Sequence, residues 1–394
     1  MPIECKLVKL GLNLDMSGMV QPCNMATNDS ICKKENGSNY NLLNDDIQEI
    51  WHSKSRKKII EDHKNDIRTP LCKNCWEPEE AGIKSPRQIF NEKLADLEVL
   101  ENQPRIMIVK PGNLCNNACR SCNAHTSSMW YKDDHKLNHQ DKDFKTYLKF
   151  FHPHKFAYKD NKLLEQRLAE WEDGIVLWSM YGGEPMIIPL NFKILDQAVA
   201  NKNAKNKEFD IHSNGMVYKD DLIKKLSKFK HSNFAISIDA TGKKNDYIRY
   251  GSKWNNIISN LKKYIEDAKQ YSNVCLEVRI TLTPLNLYHY DETVAFFKSI
   301  NVKAVGLWCD DKPWNDVRYL PTNIKQKVIT KWRKTKDKDW VKEVDKFEKW
   351  LMTEPNNYNG LQNSFIEFNK KLDSVRNEKF NEVFPEYSKL FEEV

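Results

Sequence analysis

The sequence lacks any long apolar run. No hydrophobic stretch among its 394 residues approaches the roughly 18 residues that a membrane-spanning helix needs, and Met1 to Leu10 lack the apolar block of a signal peptide. The sequence also has little excess of positive over negative charge. Its 62 basic and 55 acidic residues leave a net charge of only +7, and it has no basic tail. We therefore expect a cytoplasmic protein with neither a membrane nor a nucleic acid as its partner.

The composition is that of a folded chain. Hydrophobic residues make up 40% of the sequence and aromatic residues 11%, which excludes a disordered or fibrous protein and suffices for two or three domains. Disulfides are rare in the reducing cytoplasm. The ten cysteines therefore point to metal or redox chemistry.

Cysteine is clustered rather than scattered, since eight of the ten lie in the first third of the chain. The triplet Cys115-x3-Cys119-x2-Cys122 has a spacing expected only about 0.006 times by chance. Three thiolates on one loop can hold three irons of a [4Fe-4S] cube and leave the fourth iron open to a small molecule. His125, three residues beyond the triplet, offers the alternative of a zinc knuckle with three cysteines and one histidine.

Three further motifs follow the triplet in order. The Gly-Gly-Glu-Pro run at 182–185 comes after an apolar strand, Phe-Asp-Ile-His-Ser-Asn-Gly occupies 209–215, and Phe-Ala-Ile-Ser-Ile-Asp-Ala at 234–240 precedes Ile-Arg-Tyr-Gly at 248–251. With the triplet, these motifs resemble the radical S-adenosylmethionine (SAM) superfamily. Two positions depart from the family pattern: Ser213 stands where threonine is usual and keeps the hydroxyl, and Ala240 stands where glycine is commoner.

The resemblance implies both cofactors and a reaction. SAM would bind the open iron of a [4Fe-4S] cluster through its amino and carboxylate groups, and the reduced cluster would cleave it to methionine and a 5′-deoxyadenosyl radical that takes hydrogen from a substrate. The cluster ligands implied are Cys115, Cys119 and Cys122. The residues implied for the SAM amino group, ribose and carboxylate are Gly182, Gly183, Glu184, Pro185, Asn214, Ser237, Asp239 and Arg249.

The periodicity predicts an α/β fold. Apolar strands are expected at 105–110, 175–181, 208–213, 233–238, 275–282 and 303–309, and helical patterns separate most of them. Such alternation predicts a parallel sheet with right-handed crossovers. It fits the partial (β/α)6 TIM-like barrel that the resemblance implies, with chemistry at the carboxyl ends of the strands.

The amino-terminal cysteines resemble a second family signature. The spacing of Cys5, Cys23, Cys72 and Cys75 matches the start of the SPASM domain, an auxiliary-cluster domain of radical SAM enzymes, but Ala81 stands where that signature has a further cysteine. The shortened form is called a twitch domain. It implies an auxiliary [4Fe-4S] cluster on these four thiolates. Replacement of one ligand by Cys32, and a zinc ribbon, stay open as alternatives.

Three domains are expected: an amino-terminal twitch/SPASM-like auxiliary iron-sulfur domain (1–95), a radical SAM partial barrel (96–310) and a helical carboxyl-terminal extension (311–394) that caps the barrel. Within the extension, Trp332, Trp340, Phe347 and Trp350 recur at helical spacing, which predicts a core-facing stripe.

The resemblance favours an oxidoreductase or bond-forming enzyme acting on a peptide or protein side chain, with a reductase, flavodoxin or ferredoxin as electron donor. The alternative substrate is a small molecule such as a nucleotide or sugar. Cys309, at the end of the sixth predicted strand, is a candidate catalytic residue, with a plain packing role as the alternative. Cys275, inside a strand, is expected in the core.

Overall fold

One continuous sheet organises the chain. The computed structural model describes residues 3–152, 162–309, 312–335, 337–355, 361 and 363–392. Its described residues form an eight-stranded sheet with the order β2-β1-β3-β4-β5-β6-β7-β8, in which β1 and β2 are antiparallel and every other pair is parallel. The strands are β1 (Gly11–Leu14), β2 (Val20–Gln21), β3 (Ile106–Val109), β4 (Leu177–Met180), β5 (Glu208–Ser213), β6 (His231–Ser237), β7 (Val274–Leu282) and β8 (Lys303–Trp308).

Helices follow the strands and cover the sheet. In the described residues they are α1 (Lys6–Leu10), α2 (Ile47–Trp51), α3 (Lys54–Lys64), α4 (Lys73–Glu80), α5 (Pro86–Lys93), α6 (Tyr131–Asn138), α7 (Phe144–Phe151), α8 (Lys162–Glu170), α9 (Pro189–Ala200), α10 (Leu222–Leu226), α11 (Gly242–Ile248), α12 (Trp254–Ala268), α13 (Tyr290–Ser299), α14 (Thr322–Trp332), α15 (Lys338–Leu351), α16 (Ser364–Arg376), α17 (Phe380–Val383) and α18 (Pro385–Glu392). No described helix is both long enough and apolar enough to cross a membrane.

The predicted α/β class and all six predicted strands are confirmed, with boundaries that shift by one or two residues. The amino-terminal strands were not predicted. β1 pairs in parallel with β3 over four residues, from Gly11 beside Ile106 to Leu14 beside Val109. The amino-terminal segment therefore extends the barrel sheet instead of forming a sheet of its own. The three domain limits stay a prediction.

The predicted aromatic stripe of the carboxyl-terminal region faces the core. Trp332, Trp340, Phe347 and Trp350 are all buried on α14 and α15, and the stripe packs against Trp308 at the end of β8 and Tyr290 at the start of α13. Large aromatic rings bury much apolar area each, so this layer contributes strongly to stability.

A buried arginine joins the carboxyl-terminal helices to the cysteine-rich loop. Arg120 is fully buried and its guanidinium donates to Asn369 Oδ1 at 3.0 Å, to Asp373 Oδ1 at 2.6 Å and to Glu378 Oε2 at 2.7 Å. Its Nε donates to the Tyr247 carbonyl at 3.1 Å. One side chain thus ties the loop after β3 to α16 and to α11.

A second arginine repeats the contact from the opposite direction. Arg376, at the end of α16, donates to the carbonyl of Ala118 at 2.8 Å and pairs with Asp133 on α6 at 2.8 Å. Its guanidinium lies over the rings of Trp130 and Tyr250. The carboxyl-terminal region therefore holds the loop that carries Cys115, Cys119 and Cys122, beyond the capping role predicted for it.

Removing Arg120 should destabilise the protein strongly. Arg120→Met leaves the carboxylates of Asp373 and Glu378 without their buried cation, and breaking a buried ion pair from one side costs about 3–5 kcal/mol of unfolding free energy. Urea denaturation followed by circular dichroism measures the change. The matched control is Lys379→Met, which removes an exposed ion pair to Glu382 in the same region and should change stability little. Equal stability of the two variants would contradict the role given to Arg120.

Candidate active site

A cavity of about 330 Å³ lies at the carboxyl ends of the parallel strands. This is the end of the sheet at which parallel α/β proteins place their chemistry. Its lining brings together ten of the eleven residues predicted for the cluster and SAM, which leaves out only Asp239: Cys115, Cys119, Cys122, Gly182, Gly183, Glu184, Pro185, Asn214, Ser237 and Arg249.

Hydrogen bonds from the barrel shape the cysteine loop. The backbone N–H of Ala118 donates to the Tyr250 carbonyl at 2.8 Å, and that of Arg120 donates to the Ile248 carbonyl at 2.7 Å. The indole of Trp130 donates to the carbonyl of Cys119 at 2.7 Å. The loop therefore has a fixed path, although it belongs to neither a helix nor a strand.

The sulfur atoms of the loop are close to polar hydrogens and to one another. The N–H of Asn117 donates to Cys115 Sγ at 3.5 Å. A hydrogen bond between the thiols of Cys119 and Cys122 lowers the pKa of Cys119, and the guanidinium of Arg249 lowers it further. N–H donors and a nearby cation suit sulfur ligands that carry negative charge.

The glycine pair lets two loops touch. Gly182 and Gly183 have φ values of 80° and 55°, in the left-handed region that favours glycine. A Cβ atom on Gly183 would lie 2.3 Å from the carbonyl oxygen of Leu114, which accepts a hydrogen bond from the N–H of Glu184 at 2.8 Å. A side chain at this position would push the loop that carries Glu184 away from the cysteine loop.

Glu184 is held rigidly in the cavity wall. Its carboxylate is almost fully buried and accepts from Ser213 Oγ at 2.8 Å, from the N–H of Asn214 at 2.7 Å and from the N–H of Met186 at 3.0 Å. Burial raises the pKa of Glu184, while these hydrogen bonds act in the opposite direction. The serine that replaces the usual threonine thus provides one of the three donors.

Asn214 joins the strand end to the cysteine loop. Its side-chain amide donates to Asn116 Oδ1 at 2.6 Å, while its own Oδ1 accepts from the N–H of Met216 at 3.0 Å. The side chain is therefore engaged at both ends within the protein.

Asp239 lies behind the cavity rather than in its lining. It pairs with Arg249 at 2.8 Å, and its other oxygen accepts from the N–H of Thr281 at 2.8 Å. Arg249 does line the cavity, and its buried Nε has no hydrogen-bond acceptor in the described structure. Asp239 is thus placed to orient Arg249, and the unpaired donor suits an acceptor that is bound in the cavity.

Nine lining residues were not among the predicted site residues: Met16, Lys110, Ser121, Thr126, Ser127, Tyr181, His212, Ser213 and Thr281. Lys110 and Tyr181 directly follow β3 and β4, so the rule that chemistry lies at the carboxyl ends of strands could have found them. Met16 comes from the β1–β2 connection and had no signal in the sequence.

The two remaining candidate cysteines lie elsewhere. Cys309 is partly exposed after β8 and does not line the described part of the cavity. Cys275, expected in the core, is only half-buried in β7.

The four amino-terminal cysteines lie near one another in the structure. Cys5, Cys23, Cys72 and Cys75 are all buried, and their thiols interact electrostatically with one another. Burial raises the pKa of Cys72 to about 12 and that of Cys75 to about 11. Binding of a metal or cluster here must therefore displace protons.

Cys32 has neighbours other than these four thiols. It is fully buried close to Ser53, Ser55 and Arg56, and burial raises the pKa of its thiol. His125, the candidate fourth ligand of a zinc knuckle, does not line the cavity of the triplet.

Both cysteine groups fit an iron-sulfur cluster in their donor chemistry. Among the described residues, no three Cys, His, Asp or Glu side chains lie close enough together to coordinate a single metal ion. The triplet instead borders a cavity, which also holds the unpaired donor of Arg249. Three thiols beside open space suit a cube with one accessible iron, and four thiols suit a cube that is fully ligated by protein.

Iron and sulfide content should report the two groups separately. We expect about eight irons and eight sulfides per anaerobically reconstituted chain, and about half of each after replacement of Cys115, Cys119 and Cys122 by alanine. Replacing Cys5, Cys23, Cys72 and Cys75 together should also halve both values. Colorimetric iron and acid-labile sulfide assays measure them.

The matched control is Cys32→Ala, which removes a buried cysteine outside both groups and should leave both values unchanged. A loss of iron in this variant would assign Cys32 to the auxiliary site. If the four amino-terminal cysteines bind zinc, and no iron or sulfide is lost when they are replaced, the zinc ribbon is supported instead.

Two family models match the chain. The radical SAM superfamily model matches residues 109–297, and the model of an iron-sulfur cluster-binding domain, SPASM, matches residues 5–76. Together they span well over half of the sequence and include both cysteine groups. No curated protein sequence matches the chain.

Solved structures show a distant likeness. One of anSMEcpe with bound AdoMet has a TM-score of 0.43 at 15% identity, with 61% of this chain and 62% of that chain covered. One of Streptococcus suis SuiB bound to S-adenosylmethionine has a TM-score of 0.38 at 15% identity, with 77% and 63% covered. SuiB bound to the precursor peptide SuiA has a TM-score of 0.37 at 13% identity, with 88% and 70% covered. The chain thus spans less than two thirds of the length of anSMEcpe.

The family models match the two cysteine groups in the places where the structure gathers them. The cofactors of these domains are a [4Fe-4S] cluster with SAM and an auxiliary iron-sulfur cluster. The chain belongs to the radical SAM superfamily and carries a SPASM/twitch-like iron-sulfur domain ahead of its radical SAM domain.

Proposed function

We propose that the protein is a radical SAM enzyme that cleaves SAM reductively and abstracts hydrogen from a peptide or protein side chain. The observation that carries this proposal is the single cavity in which the three thiols of the triplet face Glu184 and Arg249. Cysteine ligands and a polar SAM-binding wall have no reason to meet in a structural metal site. When bound, the cluster with SAM supplies a 5′-deoxyadenosyl radical, and the auxiliary cluster supplies a one-electron acceptor.

The wall of the cavity has a group of the right charge for each end of the methionine part of SAM. The buried Glu184 carboxylate accepts an ammonium group, and the three donors that hold it keep it aimed without further reorganisation. Arg249, oriented by Asp239, offers its unpaired Nε to a carboxylate. Ser237 supplies a hydroxyl for the ribose.

Tyr181 connects the cavity with the amino-terminal cysteines. Met16 and Tyr181 form part of the cavity wall, and Tyr181 also packs against the apolar cluster that contains Cys5, Cys23 and Cys72. One aromatic residue thus lies between the two cysteine sites. This arrangement supports transfer of an electron from the substrate side of the cavity to the auxiliary site.

The match to the SPASM model supports a peptide or protein as the substrate class, by analogy with enzymes that carry this domain. A reductase, flavodoxin or ferredoxin is proposed as the external electron donor.

The reaction is tested by adding SAM and dithionite to the reconstituted protein and measuring 5′-deoxyadenosine by mass spectrometry. We expect its formation in the wild type. Glu184→Gln should weaken SAM binding at least about tenfold, because a charge-assisted hydrogen bond to the ammonium group is lost. Equilibrium dialysis with labelled SAM measures the affinity.

The matched control is Glu266→Gln, an exposed carboxylate on α12 that should leave SAM affinity unchanged. Absence of 5′-deoxyadenosine from protein with both clusters intact would reject the enzyme and leave an iron-sulfur binding protein.

Cys309 is tested by Cys309→Ala, with Cys275→Ala as its control. Since Cys309 does not line the described part of the cavity, we expect the same 5′-deoxyadenosine yield in both variants. Loss of substrate turnover in Cys309→Ala alone, with SAM cleavage retained, would assign it the role of a hydrogen donor.

A further inference from the structure

A second cavity opens beside the one that holds the cysteine triplet. It has a volume of about 320 Å³, and Met16 lines both cavities. Met16 is almost fully buried and its Cγ lies 3.2 Å from the position that a Cβ on Gly182 would take. The two cavities are therefore neighbours across one flexible side chain, and we call the second one the Met16 cleft.

The Met16 cleft differs sharply from its neighbour in charge. Although 30% of the chain's residues are charged, no Lys, Arg, Asp or Glu is among the described residues that line it. Met16, Met19, Tyr131, Phe150 and Phe151 form most of its wall, and the rest are a serine, an asparagine and two histidines. The neighbouring cavity, by contrast, contains Lys110, Glu184 and Arg249.

Two phenylalanines at the end of α7 are exposed to solvent at the mouth of this cleft. Phe150 is 69% exposed and Phe151 is 45% exposed, whereas Tyr131 is buried and its hydroxyl is paired with the Asn113 side chain. Exposed aromatic rings at the mouth of an uncharged cavity gain free energy when an apolar group covers them. Methionine walls adapt to guests of different shape.

We propose that the Met16 cleft binds an apolar side chain of a peptide substrate, close in sequence to the residue that reacts in the neighbouring cavity. The proposal rests on the proposed function, since it names a subsite for that substrate. Adjacent residues of an extended peptide lie about 3.3 Å apart along the chain, so one peptide can place side chains in two neighbouring cavities. An apolar side chain is favoured because the described lining offers no opposite charge that would offset the desolvation cost of burying a charged one.

The test uses reconstituted protein with SAM and four probes: the N-acetyl amides of phenylalanine, leucine, lysine and aspartic acid. Saturation-transfer NMR titration measures their affinities. We expect the phenylalanine and leucine probes to bind more tightly than the charged ones. Phe150→Ser should weaken binding of the phenylalanine probe about tenfold, because part of the ring's apolar contact is lost.

Two further variants sharpen the result. Phe150→Asp should lower the affinity for the phenylalanine probe and raise the affinity for the lysine probe, since it adds a negative charge at the mouth of the cleft. Val99→Ser, which removes an exposed apolar side chain outside the cleft, is the matched control and should change no affinity. Equal affinity for all four probes, or an equal loss in Val99→Ser and Phe150→Ser, would overturn the proposal.

Formation of 5′-deoxyadenosine is measured on the same preparations. If the wild type and Phe150→Ser both form it but no probe preference is seen, the cleft proposal fails and the proposed function stands. If the probe preference is seen but 5′-deoxyadenosine does not form, the proposed function fails while the cleft remains an apolar binding site.

Discussion

The buried guanidinium of Arg120 is the contact on which the arrangement of the active site depends. It belongs to the cysteine loop, yet all of its side-chain partners lie on other elements, more than 120 residues away. A loop without regular secondary structure has little stability of its own. Arg120 and Arg376 supply it with long-range partners, so the last helices of the chain, together with the barrel carbonyls that bind the loop, hold the three thiols in place.

The cavity shows how separate short motifs become one site. The N–H of Glu184 donates to the Leu114 carbonyl of the cysteine loop, and the side chain of Asn214 donates to Asn116 of the same loop. The two motifs also contact each other, because the N–H of Asn214 donates to the Glu184 carboxylate. Each contact is made by backbone or by a short polar side chain. The motifs are therefore coupled mechanically, and a shift in one loop would change the geometry of all three.

The sequence predicted the central fold well because its strands are short apolar runs separated by helical patterns, and because parallel strands bring their carboxyl ends together. It predicted ten of the lining residues from motifs. It did not predict β1, a four-residue strand whose buried pattern is too short to stand out, or Met16, which reaches the cavity only because β1 joins the sheet. The role of Arg120 was also invisible, since its partners follow from tertiary packing alone.

The pairing of β1 with β3 sets the relation between the two cysteine sites. Cys5 lies before α1 and β1, and Cys23 follows β2, so the two cysteines flank a strand pair whose first strand is hydrogen-bonded in register to β3. A slip by one residue would turn Leu12 and Leu14 out of the core, and a slip by two would move the strand by about 6.6 Å. A shift of this strand pair along the barrel sheet can therefore occur only in whole-residue steps of register, and not gradually.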